Sequence, residues 1–383
     1  MPWTTTSVTE QRIRFVIRAS LDSVNMSALC HEFKISRPTG YLWLDRYREA
    51  GSLTGIFEHS RRPRHSPSRT PQHHEERIVA LRQEFGWGAK KIRVLLLRED
   101  MDLKVPTINR ILKRKNLIHR KDSHCPAVKR FERERPNQLW QMDFKGDYPS
   151  DKGRCYPLSV LDDHSRYAIG LYALPGQDTK TVRDCLVKAF EICGVPHAML
   201  MDHGIPWWST SNNHGLTRLS VSFIDQGIKL YFSGIRHPQT QGKVERFHRT
   251  LSESIRLKGR PNTLFDWKQA LKSFLYEYNH IRPHEALRMA TPSEYYQPSQ
   301  KTYNPNPRGW EYPEGSVVEK LNTRGWLGKS RTRYFVSEAL AEKEVRVEQI
   351  ENKLIVSYRH MYIREIETET GRSKSLITPV SLT

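Results

Sequence analysis

An aspartate set inside an apolar run, Leu139-Trp140-Gln141-Met142-Asp143-Phe144, restricts the fold of this chain more than any other feature. A carboxylate in a buried strand is costly unless a cation or hydrogen-bond donors compensate it. A second aspartate, Asp202, ends the apolar run Ala198-Met199-Leu200-Met201 and is followed by His203-Gly204. A third acid, Glu245, lies in Gln241-Gly242-Lys243-Val244-Glu245-Arg246-Phe247-His248-Arg249-Thr250-Leu251, which reads as a helix. A fold that brings the three together makes an all-oxygen site suited to Mg²⁺ and to phosphoryl transfer on nucleic acids.

The charge distribution points to the same class of partner. The 383 residues carry 62 Lys and Arg against 42 Asp and Glu, a net charge of +20. Up to Arg135 there are 28 basic and 15 acidic residues, so +13 of that charge sits in roughly the first third. Such asymmetry implies a polyanion, double-stranded DNA above all. No apolar stretch approaches the ~20 residues that span a bilayer, and Met1-Pro2-Trp3-Thr4-Thr5-Thr6 lacks the charged start and apolar middle of a signal peptide. Cys30, Cys125, Cys155, Cys185 and Cys193 form no CxxC pair, as expected of reduced thiols in a cytoplasmic protein. His73-His74 is not followed by paired cysteines at zinc-site spacing.

Several all-α modules are expected first. Residues 1–55 read as three short helices. The first carries an apolar face of Ile13, Val16 and Ile17, and the last begins after Ser36, a plausible cap. This is a helix-turn-helix pattern, and Arg37, Thr39 and Gly40 at the start of the last helix are its candidate major-groove contacts. Residues 56–72 form a basic Pro/Ser linker in which Arg61, Arg62 and Arg64 suit phosphate or minor-groove contact. Residues 73–121 read as a second helix-turn-helix, with Thr107, Asn109 and Arg110 on its candidate recognition helix. Residues 122–136 are a connector.

From Asn137 the pattern changes to strands at Leu139–Tyr148, Tyr156–Asp162 and Tyr167–Leu174. A helix over Thr179–Cys193, a strand at His197–Met201, a helix at Gly215–Gln226, a strand at Ile228–Phe232 and a helix from about Gln241 complete it. That is the order of a ribonuclease-H-like α/β fold, which sets the first strand beside the fourth, and hence Asp143 beside Asp202, with the last helix laying Glu245 across them. Asp162-Asp163-His164-Ser165 reads as the turn between two strands, where aspartates are common for turn reasons alone.

The blocks Leu139 to Phe144, Leu161-Asp162-Asp163-His164-Ser165-Arg166-Tyr167, Asp202-His203-Gly204 and His237-Pro238-Gln239-Thr240-Gln241-Gly242-Lys243-Val244-Glu245-Arg246 closely resemble the integrase-type core of bacterial insertion-sequence transposases. Tyr278-Asn279-His280-Ile281-Arg282-Pro283-His284-Glu285-Ala286-Leu287 resembles the same family, so the core is placed at residues 137–297. The resemblance implies a catalytic and metal-binding triad of Asp143, Asp202 and Glu245 holding two Mg²⁺ ions, with Mn²⁺ as a substitute. It implies nicking of the element's ends and joining of the freed 3′-OH to target DNA by a homo-oligomer, at least a dimer, on the bacterial nucleoid. Lys243, Arg246 and Arg249 are expected to contact phosphates. The sequence departs from the family at His203, where Asn is usual, and in the 42 residues between Asp202 and Glu245, a longer gap than the commonest one. Alternatives are a DNA-binding regulator or a nuclease built on the same core. Residues 298–383 start with a Pro/Asn-rich linker and continue in short strands, which suggests a small, SH3-like β-barrel.

Overall fold

The computed structural model describes residues 7–58, 69–118, 132–209, 215–233, 242–328 and 333–377. The chain divides into two compact units, Met1–Thr70 and Pro71–Thr383. In the first, α1 (Val8–Ala19), α2 (Met26–Glu32) and α3 (Arg37–Ala50) enclose Phe15, Val16, Leu29, Cys30, Trp43, Leu44 and Ile56. Each helix starts at a side chain that accepts backbone N–H groups: Ser7, Asn25 and Ser36. The inward face of α1 differs from the expected one. Phe15 is buried, and Ile17 is 53% exposed.

The second unit opens with α4 (Gln72–Phe85), α5 (Ala89–Arg98) and α6 (Val105–Arg114), packed around Ile78, Leu81, Trp87, Ile92, Leu96, Ile108 and Ile111. A sheet follows, with β1 (Trp140–Phe144), β2 (Tyr148–Ser150), β3 (Gly153–Asp162) and β4 (Ala168–Leu174). Then come α7 (Thr179–Cys193), β5 (Ala198–Met201), the short pair β6 (Trp208–Ser209) and β7 (Gly215–Leu216), α8 (Arg218–Asp225) and β8 (Lys229–Phe232). The main strands run in the order β4-β3-β1-β5-β8, and β2 pairs with the start of β3. β1 is antiparallel to β3 and parallel to β5, so the first and fourth long strands are neighbours. Alternation along the strands feeds two apolar layers. Met142, Leu158 and Val160 meet Leu186 and Phe190 of α7 and Phe223 of α8. Leu161 and Leu171 meet α9 (Gly242–Lys258) and α10 (Leu264–Tyr276) through Phe247, Leu251, Trp267 and Phe274. A π-helical turn at Glu277–Ile281 and α11 (Pro292–Tyr295) end this part.

The remaining strands are β9 (Val318–Lys320), β10 (Trp326–Leu327), β11 (Tyr334–Phe335), β12 (Glu344–Ile350), β13 (Lys353–Tyr358), β14 (Met361–Glu367) and β15 (Ser373–Ser375). They form an antiparallel sheet, β15-β14-β13-β12-β9, and a ribbon, β10-β11. The expected barrel does not close among the described residues. The physical reason is that the sheet's apolar face is covered from elsewhere: Val345, Val356, Met361 and Ile363 share one core with Phe223, Ile228 and Leu230. Asp225, at the end of α8, accepts from Tyr358 Oη at 2.5 Å and pairs with Arg359 at 2.9 Å. No helix among the described residues is long and apolar enough to cross a membrane.

Candidate active site

The parallel register of β1 and β5 pairs Trp140 with Met199 and Gln141 with Leu200; carried two residues on, it sets Asp143 beside Asp202. The helix α9 lies over β1 and β3 and carries Glu245 in its first turn. Asp143 is mostly buried, with 21% of its side chain exposed. Burial pushes its carboxyl up to about 7, and the charges of Asp202 and Glu245 push the same way against the Phe144 N–H. Asp143 therefore carries a cost that its own neighbours enlarge.

Two buried residues brace these acids, and neither role is legible in the sequence. Trp207, within the long gap between Asp202 and Glu245, is 1% exposed. Its indole N–H donates to Asp202 Oδ1 at 2.8 Å, and its ring stacks on Phe144, the neighbour of Asp143, at 5.5 Å. His248 places Nδ1 3.7 Å from Asp143 Oδ2 and Nε2 2.9 Å from Ser159 Oγ. Burial pushes this imidazole down to about 3, so it is neutral at ordinary pH and faces Asp143 as a dipole. His203, the departure from the family, sits between Trp208 and Phe232 with ring centres 4.5 and 5.7 Å away. Burial lowers its pKa, against the opposing pull of Asp202 and the Ser233 backbone.

The turn aspartates are wholly buried. Asp162 accepts from Asn137 N at 2.7 Å, Ser165 N at 2.8 Å and Ser165 Oγ at 2.6 Å. Asp163 accepts from Gln141 Nε2 and Arg133 N, each at 2.8 Å, and pairs with Lys243 Nζ at 2.5 Å. This corrects the expectation for Lys243. Asp162 is satisfied by hydrogen bonds alone, whereas Asp163 also takes a cation, so the Lys243 ammonium is turned inward onto Asp163 rather than offered to a phosphate. Arg246 and Arg249 are both exposed on the outer side of α9.

Among the candidate DNA contacts, Arg37 is exposed, and Thr39 is half-buried with its hydroxyl 2.8 Å from that of Ser36. Gly40 is buried, so its expected groove contact is also corrected: a Cβ there would lie 2.6 Å from Cys30 Sγ and 2.8 Å from Phe15 Cζ. Tyr41, one turn beyond Arg37 and 48% exposed, takes its place on the open face, which i, i+4 spacing from Arg37 makes readable in retrospect. Asn109 and Arg110 are exposed and Thr107 is half-buried. Arg61, Arg62 and Arg64 lie outside the described residues.

Among the described residues, no group of three or more His, Cys, Asp or Glu side chains stands close enough to hold a metal ion. The donor chemistry nonetheless suits one. The three acids offer only hard oxygen ligands, and a divalent cation would offset the burial and the neighbouring acidic charges that raise Asp143.

Known families match along most of this architecture. Residues 133–238 and 226–292 each match an integrase core domain, and residues 39–112 match a homeodomain-like domain. The uncharacterized 31.7 kDa protein of insertion element IS407 from Burkholderia multivorans is 26% identical, over 59% of this chain and 82% of its own length. The uncharacterized 39.2 kDa protein of insertion element IS476 from Xanthomonas euvesicatoria is 24% identical, over 65% of this chain and 71% of its own. The transposase of transposon Tn552 from Staphylococcus aureus is 28% identical over 41% of this chain, which spans 36% of that longer protein.

Proposed function

Because the chain belongs with the integrase-core transposases of insertion elements, we propose that it binds the ends of its own element, nicks them and joins the freed strands to target DNA. Water attacks the phosphodiester at the element's end, breaks the bond to the 3′ oxygen and leaves a 3′-OH. That hydroxyl then attacks a target phosphodiester; a new 3′ O–P bond forms, the target's own 3′ oxygen leaves, and no bond to protein is made. Asp143, Asp202 and Glu245 would hold two Mg²⁺ ions, or Mn²⁺ in their place, whose charge when bound activates the attacking oxygen and stabilises the leaving one.

The chain's own groups do the rest. Trp207 fixes the orientation of Asp202, and His248 with Ser159 backs Asp143. Arg246 and Arg249 take backbone phosphates next to the reacting strand. Arg37, Thr39 and Tyr41 in the module of residues 1–55, and Thr107, Asn109 and Arg110 in that of residues 73–121, read the element's end. Arg61, Arg62 and Arg64 follow the DNA between them, so the two modules act at high effective concentration. Two ends need two sites, which makes the working particle at least a dimer, acting on cytoplasmic DNA. The observation that best supports this reading is the strand register that carries Asp143 to Asp202.

Strand transfer from pre-nicked element-end DNA into a plasmid, with Mg²⁺ and beside Glu245→Gln, tests it. Joined product that disappears in the variant supports the transposase. Cutting without joining favours a nuclease, and tight end binding with neither favours a regulator.

A further inference from the structure

Three contacts converge on one carboxylate that the chemistry above does not use. Asp163 is buried at the turn after β3 and receives Lys243 from the first turn of α9, Gln141 from β1 and the Arg133 backbone from the connector. Gln141 precedes Asp143 by two residues on the same strand, and Lys243 precedes Glu245 by two on the same helix. One buried group therefore grips both elements that carry the outer members of the acid set.

We infer that Asp163 and Lys243 are positioning residues: their buried ion pair fixes the rotation of α9 about its own axis, and with it the distance of Glu245 from Asp143. The inference rests on the role proposed above for Glu245. Val244 is fully buried and, with Phe247, His248 and Leu251, defines the inward face of α9. At 3.6 residues per turn, Lys243 and Glu245 stand about 100° to either side of Val244. Apolar contacts along that face tolerate small rotations of the helix, because burial is not directional. An ion pair at 2.5 Å on one flank does not. A rotation of about 20° moves a carboxylate at the helix's ~5–6 Å outer radius by about 2 Å, and a misplacement of about 1 Å is enough to cost roughly a hundred-fold in rate. His248, hydrogen-bonded to Ser159 on the other flank, lies on the side of Glu245 and completes the two-sided grip.

The test uses the full chain with Lys243→Gln, Asp163→Asn, Lys243→Arg and Glu245→Gln. It reads end-DNA affinity, thermal melting, strand transfer and amide hydrogen exchange across residues 242–258. Lys243→Gln removes one partner of a buried pair and is expected to melt below the parent, but at temperatures where it is folded it should bind ends within about twofold. Its strand transfer should fall about a hundred-fold, its Mg²⁺ requirement should rise, and exchange at the start of α9 should quicken. Lys243→Arg, which keeps the charge, should recover most of the transfer. Folded Lys243→Gln with parental transfer and exchange would overturn the inference. So would transfer that falls only in proportion to melting and end binding in both Lys243→Gln and Asp163→Asn, the pattern of a merely structural pair. If Glu245→Gln itself keeps strand transfer, the proposed function fails, while exchange in Lys243→Gln still reports on the grip.

Discussion

Two pairs of aspartates in one sheet carry opposite balances of charge and donors. Asp162 and Asp163 are fully buried, yet between them they receive five hydrogen bonds and an ammonium. Asp143 is less buried, but it faces other acids and a neutral imidazole 3.7 Å away. Asp202 receives the Trp207 indole and the Gly204 N–H on a single oxygen. Burial alone does not mark a working acid. A complete set of donors is what a structural acid has, and the incomplete set at Asp143 is consistent with the metal-binding role proposed for it.

Replacing members of each pair sharpens that contrast. Asp143→Asn should lower strand transfer by roughly a thousand-fold or more while melting no lower than the parent, since it removes a charge that burial and two neighbouring acids oppose; parallel transfer assays and thermal melts check this. Asp162→Ala should do the reverse. Three donors lose their acceptor, so urea unfolding should show a loss of about 3 kcal/mol or more, with transfer falling only as the folded fraction falls. A thousand-fold loss of transfer in a fully folded Asp162→Ala would break the comparison. Trp207→Phe keeps an aromatic ring in place, though smaller than the indole, and deletes the N–H on Asp202. It should cost about tenfold in transfer and about 2 kcal/mol in stability, from the lost hydrogen bond and the lost packing together.

The smallest effect concerns pH. Burial, helped by the charges of Lys91 and Arg282, pushes His284 down to about 3 from its ordinary 6.5. The folded protein therefore resists protonation that the unfolded chain accepts. The stability this residue contributes is complete above pH 6.5 and is lost progressively as pH falls toward 3. Its Nε2 has no hydrogen-bond partner among the described residues, and its ring meets Tyr278 edge-on at 4.7 Å. His284→Phe should thus keep the contact and flatten the decline of melting temperature between pH 7 and pH 5. An unchanged slope would show that His284 does not set it.

Much of the core was legible in the residues. The helix expected at Thr179–Cys193 is found with those bounds, because Asp178 caps its start and Gly194, at φ +71°, ends it. The neighbouring of β1 and β5 follows from element order, and the acids travel with their strands. Part of what stayed hidden depends on contacts distant in sequence. Lys243 and Asp163 are 80 residues apart, and nothing local tells a lysine that meets a buried acid from one that meets a phosphate. Gly40 and Tyr41 stand side by side in sequence, and a rotation of one helical position decides which is core and which is surface. Trp207 is only five residues from Asp202, but nothing local shows that the chain turns its indole back onto that carboxylate. The strands after residue 316 were readable, but the sequence does not reveal that another layer covers their apolar face.

That shared layer bears on how the chain is made. Ile228 and Leu230 lie against residues more than a hundred positions further on, Val345, Val356 and Met361 among them. On the ribosome this face must wait, apolar and uncovered, until the strands that cover it have emerged. A copy that stops before residue 316 would contain Asp143, Asp202 and Glu245 and still leave the apolar side of α8 and β8 without the sheet that covers it.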